Sequence, residues 1–71
     1  MATKIPTEVT GKVWQVIAAP GTAVAEGDTV MVIESMKMEI PVSAPHAGTV
    51  KEILFAEGDM VEEGQAVAII E

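Results

Sequence analysis

Six residues near the middle of this 71-residue chain, Glu34-Ser35-Met36-Lys37-Met38-Glu39, set one primary amine between two methionines and two acids. A solvated lysine is an ammonium at neutral pH. Such an amine acts as a nucleophile in acyl transfer only when a partner supplies a base and an activated acyl group. Other chemistry finds little to work with. There is no cysteine, hence no thiolate nucleophile, no disulfide framework and no cysteine-ligated metal. The single histidine, His46, stands beside Pro45 as a loop residue and cannot build a metal site alone. No glycine pattern resembles a phosphate loop. The chain is therefore expected to hold no catalytic residues and no metal of its own.

Charge narrows the partners. Four lysines and no arginine stand against 11 acids, a formal charge of -7, which disfavours nucleic acid and anionic lipid surfaces. The longest unbroken apolar run, Ala66 to Ile70, is far shorter than the ~20 residues a membrane helix needs. The N-terminal MATKIPTEV lacks a charged region followed by an apolar stretch, so no export signal is visible. The expectation is a soluble, cytoplasmic domain over residues 1–71, with neither nucleic acid nor membrane as partner.

The elements that must position the lysine are written in the composition. Ten valines and seven isoleucines stand against one leucine, Leu54. Branching at the β-carbon suits the pleated strand and loses rotamer freedom in a helix, so the chain reads as all-β. It also contains itself twice. Gly11 to Glu34 aligns with Gly48 to Glu71 at a constant offset of 37 residues without a gap, and ten of 24 positions are identical. Each copy reads as a strand, a glycine turn, a short strand, a second glycine turn and a third strand. One copy cannot cover its own apolar face, so the two should pack together. The expected fold is a flattened antiparallel β-barrel or sandwich with a quasi-two-fold internal repeat.

The strands are expected near Ile5–Val9, Lys12–Ile17, Thr22–Val24, Thr29–Glu34, Glu39–Val42, Thr49–Leu54, Met60–Glu62 and Ala66–Ile70. Turns are expected at Ala19-Pro20-Gly21, Glu26-Gly27-Asp28, Pro45 to Gly48, Glu57-Gly58-Asp59 and Glu63-Gly64-Gln65, with glycines supplying positive φ at these corners. One segment breaks the punctuation. Thr29 to Val42 runs without glycine, asparagine or aspartate, longer than a strand of ~3–10 residues, so it should bend. Pro41 argues against a continuous central strand. The polar interruption at 34–39 connects the two repeats, and a hairpin there must turn without the residues that ease a tight turn. Lys37 would sit at or beside its tip. A local rule broken in an otherwise consistent sequence points to function.

These residues resemble a known family. Glu34-Ser35-Met36-Lys37-Met38-Glu39 is similar to the biotin-attachment motif of biotinyl domains, whose core is Met-Lys-Met. Gly11-Lys12-Val13, Val24-Ala25-Glu26-Gly27-Asp28, Ala44-Pro45, Gly48-Thr49-Val50 and Glu57-Gly58-Asp59-Met60-Val61 match the frame of the same family. The resemblance spans about Thr10 to Glu71. It implies two packed four-stranded antiparallel sheets with the modified lysine on a tight hairpin at 34–39. Many members carry alanine where this chain has Ser35. The short connection from Val16 to Val24 leaves no room for the inserted "thumb" of some bacterial acetyl-CoA carboxylases. The chain thus looks more like the thumbless domains of pyruvate, propionyl-CoA and related carboxylases, or a small attachment protein.

The resemblance implies biotin as a covalent cofactor on Lys37, joined by a biotin protein ligase that recognises the flanking Met36 and Met38. Ser35 and Glu39 belong to the same hairpin, and Glu39 is a candidate ligase contact. Biotin would then carry CO2 on its ureido nitrogen from a biotin carboxylase to a carboxyltransferase, making the chain a carrier rather than an enzyme. Two alternatives remain open: a lipoyl carrier, whose lysine usually lies in Asp-Lys-Ala, and an unmodified β interaction module. Met36 and Met38 could also be core residues of one strand face, and Glu34 and Glu39 solvated charges or strand-end pairing. Trp14, which stands where the second copy has Lys51, covers an end of the core or anchors a partner.

Overall fold

In strands such as Gly11–Val16 and Gly48–Ile53 buried apolar residues alternate with exposed ones, whereas Thr29–Ser35 and Ala66–Ile70 bury most of their residues at least in part. In the computed structural model, which describes residues 2–71, eight strands result. They are β1 (Thr3–Pro6), β2 (Gly11–Val16), β3 (Ala23–Val24), β4 (Thr29–Ser35), β5 (Met38–Ser43), β6 (Gly48–Ile53), β7 (Met60–Val61) and β8 (Ala66–Ile70). No helix occurs among the described residues. The strands form two four-stranded antiparallel sheets, ordered β1-β8-β6-β3 and β5-β4-β2-β7. This is the all-β, two-sheet architecture expected from the sequence.

The 37-residue repeat is the symmetry of the fold. β2, β3 and β4 of the first copy correspond to β6, β7 and β8 of the second. Each copy lends its short strand to the other: β3 pairs with β6, and β7 pairs with β2. Neither copy is complete alone, which is why the repeat comes as a pair. The equivalence extends beyond the aligned segments to Thr7 and Ala44, again 37 residues apart. The Thr7 amide donates to the Gln65 carbonyl, and its own carbonyl accepts from the Gly64 amide, both at 2.9 Å. Ala44 repeats this with Asp28 (2.8 Å) and Gly27 (2.9 Å). The core obeys the same rule. Val13, Val30 and Ile33 and their counterparts Val50, Val67 and Ile70 are all fully buried, each contributing about 1.5–3 kcal/mol by leaving water.

Most strand ends fall within one residue of expectation; β1 does not. It runs Thr3–Pro6 rather than Ile5–Val9. Its register against β8 shifts at Pro6, which has no amide hydrogen to give the ladder. Beyond it the Thr7 hydroxyl donates to the Val9 carbonyl (2.9 Å) and accepts from the Val9 amide (3.3 Å), closing a local turn. The glycine expectation also needs one correction. Gly21, Gly27, Gly58 and Gly64 do have φ near +90°, but Gly48 lies in strand β6. It is required for closeness instead, since a β-carbon there would meet the Glu71 carbonyl oxygen at 2.6 Å. Gly11, its counterpart, stands likewise against the Glu34 carbonyl oxygen. Pro41 lies within β5, which is an edge strand and tolerates it.

The molecule is elongated, about 32 × 17 × 17 Å, and its ends differ. At one end β4 turns into β5 through Met36 and Lys37. At the other, Thr3 pairs with Ile70, and His46 Nε2 lies 2.8 Å from the Thr3 hydroxyl. His46 is thus a loop residue that ties the β5–β6 connection to the start of β1.

Candidate functional site

The β4–β5 connection is a two-residue hairpin. Ser35 and Met38 pair across its base, leaving Met36 (φ 52°) and Lys37 (φ 64°) as the turn. Positive φ at both central positions defines the type I′ turn, which matches the twist of the flanking strands and favours Asn-Gly. Met36 and Lys37 are the only non-glycine residues with positive φ among those described. Each costs about 1–2 kcal/mol relative to the right-handed region. The bend expected somewhere in Thr29 to Val42 is therefore here, made by side chains that oppose it.

This geometry throws Lys37 outward. Lys37, Met36 and Met38 are all exposed, Met36 to 91%, which removes the reading of the two methionines as core. Two clefts, one between Pro6–Val9 and Ile40–Ser43 and one around Val16, Ile53 and Phe55, are lined by neither Lys37 nor its flanks.

Beneath the tip the hairpin base is held by side-chain hydrogen bonds. The Ser35 hydroxyl donates to the Thr10 carbonyl oxygen at 2.8 Å. The Thr10 hydroxyl in turn accepts from the Glu63 amide at 3.0 Å, so the hairpin base is tied to the β1–β2 connection and to the β7–β8 turn. Gly11 lets β2 pass against the end of β4. Thr10 was not legible as a support, because nothing in its local pattern marks it; Gly11 could have been found from its repetition as Gly48. Glu34 and Glu39 face one another across β4 and β5. Neither joins an ion pair, the only one among the described residues being Lys51–Glu71 at 3.1 Å. Like charges directly opposite are unfavourable. Both are exposed, as solvated charges would be, and at the strand ends they pair with each other rather than with a cation. Trp14 lies on the outside of the sheet and does not close the core.

A two-sheet β-domain that holds one amine exposed at a hairpin tip, outside the two clefts described, has the form of a carrier domain. The chain belongs to the biotin/lipoyl attachment family: the family described as "Biotin-requiring enzyme" matches residues 1–70. It is 37% identical over 70 residues to the "Biotinylated protein TB7.3 homolog" of Mycobacterium leprae, covering 99% of both chains. It is 40% identical over 65 residues to the urea amidolyase of Saccharomyces cerevisiae, covering 92% of this chain and 4% of that one. The crystal structure of the Kluyveromyces lactis urea carboxylase superposes with a TM-score of 0.96 at 45% identity, over 100% of this chain and 6% of that one. Against these large proteins the chain spans only a small fraction of their length. It is a biotin carrier domain, with biotin as its covalent cofactor, and is not catalytic by itself.

Proposed function

We propose that Lys37 is the biotin attachment residue and that the chain is the carboxyl carrier of a biotin-dependent carboxylase. The observation that carries this reading is the pair of left-handed residues Met36 and Lys37, which holds the amine at an exposed tip. The residues present suit a covalent biotin. Lys37 Nζ is exposed and makes no ion pair that an incoming acyl group would have to displace.

In the attachment step the Lys37 ammonium gives up two protons, one to a base of a biotin protein ligase to free the Nζ lone pair and one as Nζ forms an amide with the activated biotin carboxyl carbon. The acyl–phosphate bond breaks and AMP leaves with its electron pair. The ligase supplies the base and the alignment, and Met36 and Met38 offer it a deformable apolar grip on both sides of the amine. Held as an amide on Lys37, biotin would supply a ureido nitrogen able to carry a carboxyl group between a biotin carboxylase and a carboxyltransferase. The chain's part in that transfer is to keep the arm's origin at a stiff, solvated point, so that delivery is intramolecular within the assembly. Which acceptor is carboxylated belongs to the rest of the carboxylase. A cytoplasmic location, where ATP and the ligase are available, completes the reading.

Met36 and Met38 in place of the aspartate and alanine of a lipoyl site support biotin over lipoate, as does the "Biotinylated" name of the Mycobacterium leprae relative. The test is Lys37→Arg beside Lys37→Ala. Both should fold like the wild type by circular dichroism and take up no biotin from ligase, ATP and biotin. Labelling that persists in either variant would overturn the assignment.

A further inference from the structure

The quasi-two-fold repeat provides an internal control for what the fold requires of its surface. Six large apolar side chains are exposed among the described residues: Trp14, Ile17, Met36, Met38, Leu54 and Met60. Ile17 and Leu54 are repeat counterparts, 37 residues apart, so the architecture accounts for them in both halves. Of the other four, only Trp14 and Met60 lie within the two copies, and both break the repeat. Met36 and Met38 belong to the tip hairpin. Trp14, 48% exposed, stands where the second copy has Lys51, and Met60, 66% exposed, where the first copy has Ala23. Trp14, Met38 and Met60 lie in the sheet β5-β4-β2-β7, and Met36 lies beside Lys37 in the turn that joins its strands β4 and β5.

Their placement is coherent. β2 has a bulge between Val13 and Gln15, and β6 has the same bulge between Val50 and Glu52, so Trp14 and Lys51 occupy one structural position. In the second copy that position projects on the outer face, because Lys51 Nζ reaches Glu71, the residue just past the neighbouring strand β8, at 3.1 Å. In the first copy it projects a tryptophan on the side of Glu34, the counterpart of Glu71. Met60 lies directly opposite Lys12, which in turn lies opposite Glu34. Trp14 and Met60 therefore flank Lys12 on the outer face, within about 10 Å of the hairpin base measured along the strands.

We infer that Trp14 and Met60 extend the Met36-Lys37-Met38 tip into a continuous docking face for the biotin protein ligase. The inference rests on the reading that Lys37 is acylated by such a ligase. Two arguments select this partner. Bare lysine is short, so an enzyme that acylates Nζ must bring its own surface against the tip and the sheet behind it. A partner that uses a group carried at the end of the finished arm can keep the body at a distance. The second argument is area. Even a small specific interface covers about 600 Å² of each partner, on a chain exposing 4274 Å² in all. An aromatic side chain buries about 150–250 Å² and a methionine less, so the two tip methionines supply only part of that area and the footprint extends onto the residues around the tip. The outer face of this sheet is where surplus apolar groups, including an aromatic of the kind that anchors interfaces, are found.

The test exchanges each residue for the one its counterpart position already accommodates. The double variant Trp14→Lys/Met60→Ala is compared with the wild type as the varied substrate of a purified biotin protein ligase at saturating biotin and ATP. The expected result is a KM for the carrier raised about tenfold or more, with kcat within about twofold. The mirror variant Lys51→Trp/Ala23→Met should keep the wild-type KM. Lys37→Ala, which keeps the face but not the amine, should inhibit wild-type biotinylation competitively. Adding Trp14→Lys alone should weaken that inhibition, so binding is read even if the double variant does not fold. An unchanged KM in the folded double variant, or undiminished inhibition, overturns the docking face while leaving Lys37 as the acceptor. Failure of the wild type itself to take up biotin at Lys37 overturns the underlying reading as well.

Discussion

The Ser35 hydroxyl donates a 2.8 Å hydrogen bond to the carbonyl oxygen of Thr10, 25 residues earlier, and so fastens the base of the lysine hairpin to the β1–β2 connection. The bond is exposed, and a hydrogen bond of this kind is worth about 0.5–1.5 kcal/mol net. Ser35→Ala should lower stability by about that amount, a few degrees in Tm for a domain this small, while leaving biotin uptake near wild type. A melting curve beside a biotinylation time course checks both. A large loss of uptake would make the hydroxyl part of recognition rather than support.

The tip opposes its own turn. Met36→Asn together with Lys37→Gly installs the pair a type I′ turn favours and relieves two left-handed side chains. Stability should rise by about 1–3 kcal/mol, with the acceptor amine lost. Chemical denaturation measures the gain. A destabilised or unchanged variant would mean that the two φ values carry no strain.

Gly11 and Gly48 are needed for closeness rather than for φ, as the carbonyls of Glu34 and Glu71 stand where their β-carbons would go. Gly11→Ala should cost about 1–3 kcal/mol through forced displacement and shift the end of β4 that leads into the tip. Gly48→Ala should cost about as much but sit at the opposite end of the molecule. Biotin uptake per folded molecule should therefore fall in the first variant and hold in the second. Equal uptake in both would detach the tip's performance from the β2–β4 contact.

The repeat also makes a prediction about the core. Ile33 and Ile70 are counterparts and both are wholly buried, so Ile33→Val and Ile70→Val should each cost about 0.5–1.5 kcal/mol, and by nearly equal amounts. Unequal losses from denaturation curves would show that one sheet dominates stability.

Much of this was legible in the chain itself. The gap-free offset between Gly11–Glu34 and Gly48–Glu71 fixed the turns and all but one strand to within a residue, because the glycines and the Val/Ile alternation act locally. β1 was misplaced because nothing local marks its register. That register comes from pairing with β8 at the far end of the chain and from a Thr7 side chain that closes a turn on Val9. Gly48 was assigned to a corner because a glycine's sequence neighbours do not reveal a carbonyl 23 residues away. Thr10 was missed for the same reason, since both of its hydrogen bonds are to distant residues. Lys37 was legible because the turn that holds it violates the local rule. Trp14 became interpretable only when its counterpart Lys51 was seen to reach Glu71.

The central claim is that one amine of this chain, held out by Met36 and Lys37, receives biotin. The most direct test is intact mass after incubation with biotin protein ligase, biotin and ATP, followed by peptide mapping. Lys4, Lys12 and Lys51 are also exposed and serve as controls within the same molecule. A single biotin on Lys37, with the other three lysines unmodified, is the predicted result. No adduct on a folded chain, or biotin spread over the other lysines, would contradict it.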